Sequence, residues 1–203
     1  MKKIILIIAL SFPSFIFCQT PIIDLLDDDG SAIPNAYYKD VNNLLDPFVG
    51  TYIYSDITTN TSFKVVLVKK TLQFNGRYYE DVIIGEYQYI ENGVEKVSTI
   101  DELNQNYSNY NKYNIVGNIL INNNNFRYWR CFDCISNEIR LMLTINDDLS
   151  QRFAYLILRR ATDLAGQEII KIKIVNISHS FSDNPNLSLD FVLPFTELTL
   201  IKQ

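Results

Sequence analysis

Residues 45–93 constrain the fold most. They read LDPFVGTYIYSDITTNTSFKVVLVKKTLQFNGRYYEDVIIGEYQYIENG, three apolar-rich runs parted by turn-forming residues. Each run is rich in β-branched and aromatic residues and alternates with period two, a strand pattern rather than a helical one. Asn75-Gly76 and Asn92-Gly93 mark tight turns between runs. Links this short force successive strands to run antiparallel.

The rhythm continues to the end of the sequence. Strands are expected at 49–54, 63–72, 78–89, 94–100, 115–121, 138–146, 152–160 and 169–177. A last strand is expected from Leu189 through Phe191, Leu193 and Phe195, disturbed at Pro194 and resuming at Leu198 and Leu200 after a bulge. Single faces are legible in several runs: Phe63, Val65 and Leu67; Leu141, Leu143 and Ile145; Ala154, Leu156 and Leu158; Ile170, Ile172 and Ile174. Gly85 and Gly117 fall inside strands, where a close backbone approach or a bend is the usual reason. The expectation is an all-β domain, an antiparallel meander of about 8 to 10 strands. A twisted sheet of that size curls or splits, and closing it into a barrel removes exposed edges. A two-sheet sandwich is the alternative, since both alternate inside and outside.

Ahead of the meander, Tyr37, Val41, Leu44 and Leu45 recur at helical spacing until Pro47, so a short N-terminal helical strap is expected over 35–48, with an irregular strap along the sheet as the alternative. Residues 20–34 are acidic and turn-rich, a flexible leader (19–34) whose Ile22, Ile23, Leu25 and Leu26 touch the domain. The first eighteen residues, MKKIILIIALSFPSFIFC, have a basic start and an apolar run interrupted by Pro13, the pattern of a signal peptide. Cleavage is expected after Cys18 or Gln19, giving a secreted or periplasmic protein; lipidation of Cys18 would instead anchor it to a membrane. Residues 35–203 then form one domain.

The 203 residues carry a net charge of −5, and losing Lys2 and Lys3 makes the mature chain more acidic. No basic stripe follows one face, so nucleic acid is not an expected partner.

Cys131-Phe132-Asp133-Cys134 is the compact chemical motif. In an oxidising compartment two cysteines this close are expected to form a disulfide. Redox chemistry or zinc are the alternatives, the latter needing two more ligands. The single histidine, His179, sits in a polar loop with Ser178, Ser180, Ser182 and Asp183, too little to define a catalytic triad. Glu80 or Asp81 with Glu86 would form a paired-carboxylate site only if brought to glycosidase spacing. No catalytic, cofactor or metal residues are assigned. The chain has 13 tyrosines, and those of the asparagine-rich stretches, Tyr107, Tyr110 and Tyr113, together with Trp129, are candidates for a rim or contact surface.

Two segments add a resemblance. LDPFVGTYIY resembles the opening of lipocalin-like proteins, where a strap precedes a glycine, a spacer and an aromatic residue that closes the barrel base; here these are Gly50, Thr51 and Tyr52. YYKDVNNLLDPFVGTYIY, GRYYEDVIIGEYQYIENGVEK and CFDC followed by NEIRLML resemble an uncharacterised family of exported flavobacterial proteins described as lipocalin-like. The resemblance implies an exported β-barrel and carries no activity. Two functions are expected from these readings: a non-catalytic barrel binding a small hydrophobic molecule, with a largely filled interior and a shallow cleft at one rim, or a module contacting an extracytoplasmic protein. An enzyme is the third class.

Overall fold

A computed structural model describes residues 21–136, 138–178 and 190–203. The strands are β1 (Ile22–Asp24), β2 (Tyr37–Lys39), β3 (Gly50–Asp56), β4 (Thr61–Phe74), β5 (Tyr79–Glu91), β6 (Val94–Ser98), β7 (Ile115–Ile121), β8 (Arg140–Asp147), β9 (Arg152–Thr162), β10 (Glu168–Val175) and β11 (Leu198–Lys202). Eight of them, β3, β4, β5, β7, β8, β9, β10 and β11, pair antiparallel in chain order around a closed ring. Closure comes from Ile201 opposite Ile53 and Lys202 opposite Tyr52. The ring decides between barrel and sandwich in favour of the barrel.

β5 is the wall's busiest strand. One edge pairs with β4 over most of its length. The other edge is shared by three partners in turn: β2 at Tyr79 and Glu80, β7 at Ile83 to Gly85, and β6 at Gln88 to Glu91. β6 therefore lies outside the ring. Only Val97 of its five residues is buried, so it has no inward row to contribute. Gly85 sits where β5 has neighbours on both edges. A Cβ there would come within 2.5 Å of the Val66 carbonyl and 2.7 Å of Leu67 Cδ2. A side chain would part β5 from β4 at the middle of the ladder.

The inward rows meet in one cluster. Phe63, Val65 and Leu67 of β4, Ile83 and Tyr87 of β5, Leu141, Leu143 and Ile145 of β8, Leu156 and Leu158 of β9, and Leu200 of β11 are all essentially inaccessible. This filling is that of a small barrel whose interior is just wide enough for its own side chains.

Both mouths are stoppered by the chain itself. At the mouth where β3 begins, Leu25, Ala36, Tyr38, Leu45 and Phe48 of the N-terminal strap join the core. At the opposite mouth, Phe191 and Leu193 do so from the segment that leads into β11.

The strap is not helical as expected. It holds strand β2, which pairs parallel with β5, and a single 3-10 turn at Asp46–Phe48. Asn43 stands at φ +54°, which no α-helix accommodates. The Asp40 carboxylate accepts the amides of Leu44 (2.7 Å) and Leu45 (2.9 Å), replacing the carbonyls a helix would supply. The last strand also differs. Leu189 lies outside the described residues, and 190–197 form no strand; the ladder starts at Leu198. Pro194 lacks an N–H to give a ladder, and the Val192 amide is bound by the Asp147 carboxylate instead. The expected signal peptide (1–18), with Cys18, and His179 also lie outside the described residues.

Candidate functional site

The polar groups of interest sit on the outer wall and the rims. Three acids of β5 are each committed to a different covering segment. Asp81 accepts the Tyr37 hydroxyl at 2.5 Å, the Asp40 amide at 3.0 Å and the Leu72 amide at 3.0 Å, tying strap and β4 bulge to the wall. Burial, helped by Asp81, pushes the Tyr37 hydroxyl up to about 12. Glu80 accepts Asn118 Nδ2 at 2.6 Å, Asn75 Nδ2 at 3.0 Å and the buried Tyr110 hydroxyl. Glu86, fully buried, accepts the backbone amide and the side-chain amide of Asn114 at 3.1 and 2.9 Å. Burial raises the Glu86 carboxyl above its ordinary value, against the hydrogen bonds from Thr99 and Asn114. Burial also raises Glu102, whose carboxylate lies 3.4 Å from the same Asn114 amide.

These acids do not make a glycosidase pair. Glu80 and Glu86 share a face but stand about 20 Å apart at the rise of a strand, whereas such pairs sit about 5 to 9.5 Å apart. Asp81 and Glu86 point to opposite faces. They are tethers for the covering segments.

Tyr110 and Tyr113, candidates for a contact surface, are buried. They pack on Val82 and Ile84, the outward row of β5, with Tyr107 beside them. The Tyr113 hydroxyl donates to the Gln105 carbonyl at 2.7 Å and accepts from Lys70 Nζ at 2.9 Å. Trp129 is likewise buried, against Ile121 and the outward-facing Ile157. These four aromatics hold residues 100–114 and 122–136 down on the wall. Tyr107, Tyr110 and Tyr113 recur every third residue, but the polar residues around them gave no sign of which wall the row would cover.

Cys131 and Cys134 are joined in a disulfide. The loop around it is fixed by two arginines of the outer wall. Arg140 is fully buried and donates to the carbonyls of Trp129 and Asn123, both at 2.7 Å. Arg159 donates to Glu138 at 2.5 Å and to Asp133 at 2.8 Å. The hydrogen bonds it donates to Glu138 and Asp133 raise the Arg159 guanidinium, and the pairing with Arg159 lowers the Asp133 carboxyl. So held, the loop presents Phe132 at 93 % and Ile135 at 74 % exposure. Sequence reading missed Arg140; its place in the polar row of β8 gave no sign that a loop would cover it.

Gly50 opens β3 at φ +147°, and a Cβ there would lie 3.1 Å from Lys202 Cε, across the closing seam. Tyr52 is buried; its hydroxyl reaches the Pro47 and Val49 carbonyls at 3.5 Å, and burial, with the opposing effects of Arg160 and Glu168, brings it to about 12.

Two clefts are relevant. At the mouth stoppered by Phe191, a cleft is lined by Arg152, Ile177, Phe191 and Phe195. On the outer wall, a second lies between the 110–114 segment and the outward rows of β7, β8 and β9, lined by Asn111, Tyr113, Asn114, Val116, Thr144, Asn146 and Phe153. Among the described residues no group of three or more His, Cys, Asp or Glu is placed to share a metal ion.

The chain belongs to a family of unknown function, DUF6705, whose model matches residues 1–203. No curated protein and no solved structure matches it.

Proposed function

We propose that this family member is an exported, non-catalytic binding module of lipocalin-like build that works through the outside of a filled barrel. The observation that carries this reading is the stoppering of both mouths. A ligand seated in the lumen would have to displace Leu45 and Phe48 at one end or Phe191 and Leu193 at the other, all in the continuous core. Contacts then fall to the outer wall and rims, where the disulfide-closed loop offers Phe132 and Ile135 and the 110–114 segment borders a cleft. The Cys131–Cys134 disulfide supports export, because such bonds persist in oxidising compartments. In this reading residues 1–18 are a signal peptide and the mature chain is secreted or periplasmic; a protein anchored through a lipidated Cys18 is the variant form.

A second reading places a small hydrophobic molecule at the rim cleft of Ile177, Phe191 and Phe195, supported by the half-exposed Phe195 ring. Natively purified protein, extracted with organic solvent and weighed by mass spectrometry, separates the two. The proposed reading expects no stoichiometric lipid and retention of the protein on cell-envelope material. One lipid per chain, lost on Phe191→Asp substitution, would overturn it. The mass of the same protein reports whether residues 1–18 are removed or Cys18 carries acyl chains.

A further inference from the structure

We infer that the outer-wall cleft bordered by Phe153 and Asn146 is a binding site for a neutral carbohydrate. The inference rests on the outer-wall reading and supplies its ligand class. The cleft has a volume of about 320 Å³, at the small end of the range for ligand sites. Its floor is set by register. Val116 lies opposite Thr144 across β7 and β8, and Asn146 lies opposite Phe153 across β8 and β9. All four are outward positions, because their strand neighbours Ile115, Leu143, Ile145 and Ala154 fill the lumen. The result is a ring and a valine beside a hydroxyl and an amide on one shallow surface.

One wall is fixed by the buried tether. Glu86 holds both nitrogens of Asn114, and the Asn114 oxygen accepts Asn146 Nδ2 at 3.3 Å. Asn146 is thus oriented from behind, leaving its own oxygen for a ligand. Its backbone is pinned as well, the amide donating to the Asn114 carbonyl at 2.7 Å and the carbonyl accepting the Tyr87 hydroxyl at 2.8 Å. The side chains of Asn111 and Thr144 make no hydrogen bond with another described residue. Phe153 is 55 % exposed although it sits on a regular strand.

The chemistry of the lining selects the ligand class. Among the described residues no charged side chain lines the cleft, so an anion or cation would leave its hydration for no counter-charge from them. A purely apolar molecule would strand the Asn146 oxygen, the Asn111 amide and the Thr144 hydroxyl. A sugar ring satisfies both halves. Its C–H face packs on the Phe153 ring, and its vicinal hydroxyls pair with amides and a hydroxyl that can each donate and accept.

Isothermal titration of the full chain against short neutral glucans, xylans and mannans tests this. Binding by at least one is expected, weakened about tenfold or more by Phe153→Ala and by Asn146→Ala, and kept by Phe153→Trp. Phe153 is a surface ring, so its alanine variant should melt as wild type. If no glycan binds at millimolar concentration, or if Phe153→Ala and Asn146→Ala bind as wild type, the inference is overturned. Envelope retention that survives Phe153→Ala and is lost on Phe132→Asp would also overturn it while leaving the outer-wall reading intact. A stoichiometric lipid in the extracted protein would instead remove that reading.

Discussion

Asp147, at the end of β8, accepts the backbone amide of Val192 at 2.8 Å across 45 residues of sequence. The same carboxylate oxygen takes the Ser150 hydroxyl at 2.6 Å, and both Asp147 and Ser150 are fully buried. One acid thus shapes the β8–β9 turn and fastens the segment whose Phe191 and Leu193 close the mouth.

Asp147→Ala should therefore unstopper the barrel. Losing a buried charge-assisted hydrogen bond costs about 1.5 to 3 kcal/mol, and the freed segment should expose Phe191 and Leu193. Thermal melting and the fluorescence of a hydrophobic dye check this. A variant that melts several degrees lower and binds dye is expected; a wild-type melt would remove Asp147 from its fastening role.

Gly50→Val places a β-branched side chain at φ +147° and against Lys202 at the closing seam. Backbone strain of this kind costs about 1 to 3 kcal/mol, so the melting temperature should fall clearly. A near-wild-type melt would show that the seam accepts a side chain.

Reducing Cys131–Cys134 should lower stability by about 2 kcal/mol at most, and the barrel should remain. The bond closes a loop on the outside of β7 to β9, and none of the inward rows depends on it. Far-ultraviolet dichroism should stay unchanged in reductant while the melting temperature drops slightly. Collapse of the β signal would contradict this.

Glu86 predicts a pH effect of definite sign. Its carboxyl is raised by burial above the ordinary value of 4.5, so the folded chain holds the proton at pH values where the unfolded chain has released it. Stability from this group is present below the unfolded value and is lost as pH rises through the folded one. Glu86→Gln cannot ionise. Its melting temperature relative to wild type should improve from pH 4 upward until the folded carboxyl is ionised. Parallel melting curves across that range would show that Glu86 titrates as an ordinary acid.

The barrel was legible because its information is local. Phe63, Val65 and Leu67, or Leu141, Leu143 and Ile145, declare an inward face with no help from elsewhere in the chain, and all six are buried. What could not be read is set at long range. The spacing of Tyr37, Val41, Leu44 and Leu45 suits a helix, but Asp40 and Asp81, 41 residues apart, impose a strand and a turn. Nothing in Val94–Ser98 says that β6 yields its place in the ring to β7, with β5 pairing both. The disulfide was legible from close spacing taken together with an expected oxidising compartment; the arginines under it were not. The aromatics at 107–129 drew attention as surface, yet Tyr110, Tyr113 and Trp129 are small cores under loops, because tyrosine and tryptophan can bury a ring and still place a polar tip.

The seam between β3 and β11 has a consequence for biogenesis. The staves are laid down in order from residue 50, but the first cannot meet the last until Ile201 and Lys202 have emerged beside Ile53 and Tyr52. Until then β3 has one unpaired border, and the lumen stands open along its whole length. A chain released from its amino end is therefore an unfinished cask, and the final hoop is fitted only once residues 201 and 202 have followed the other staves out.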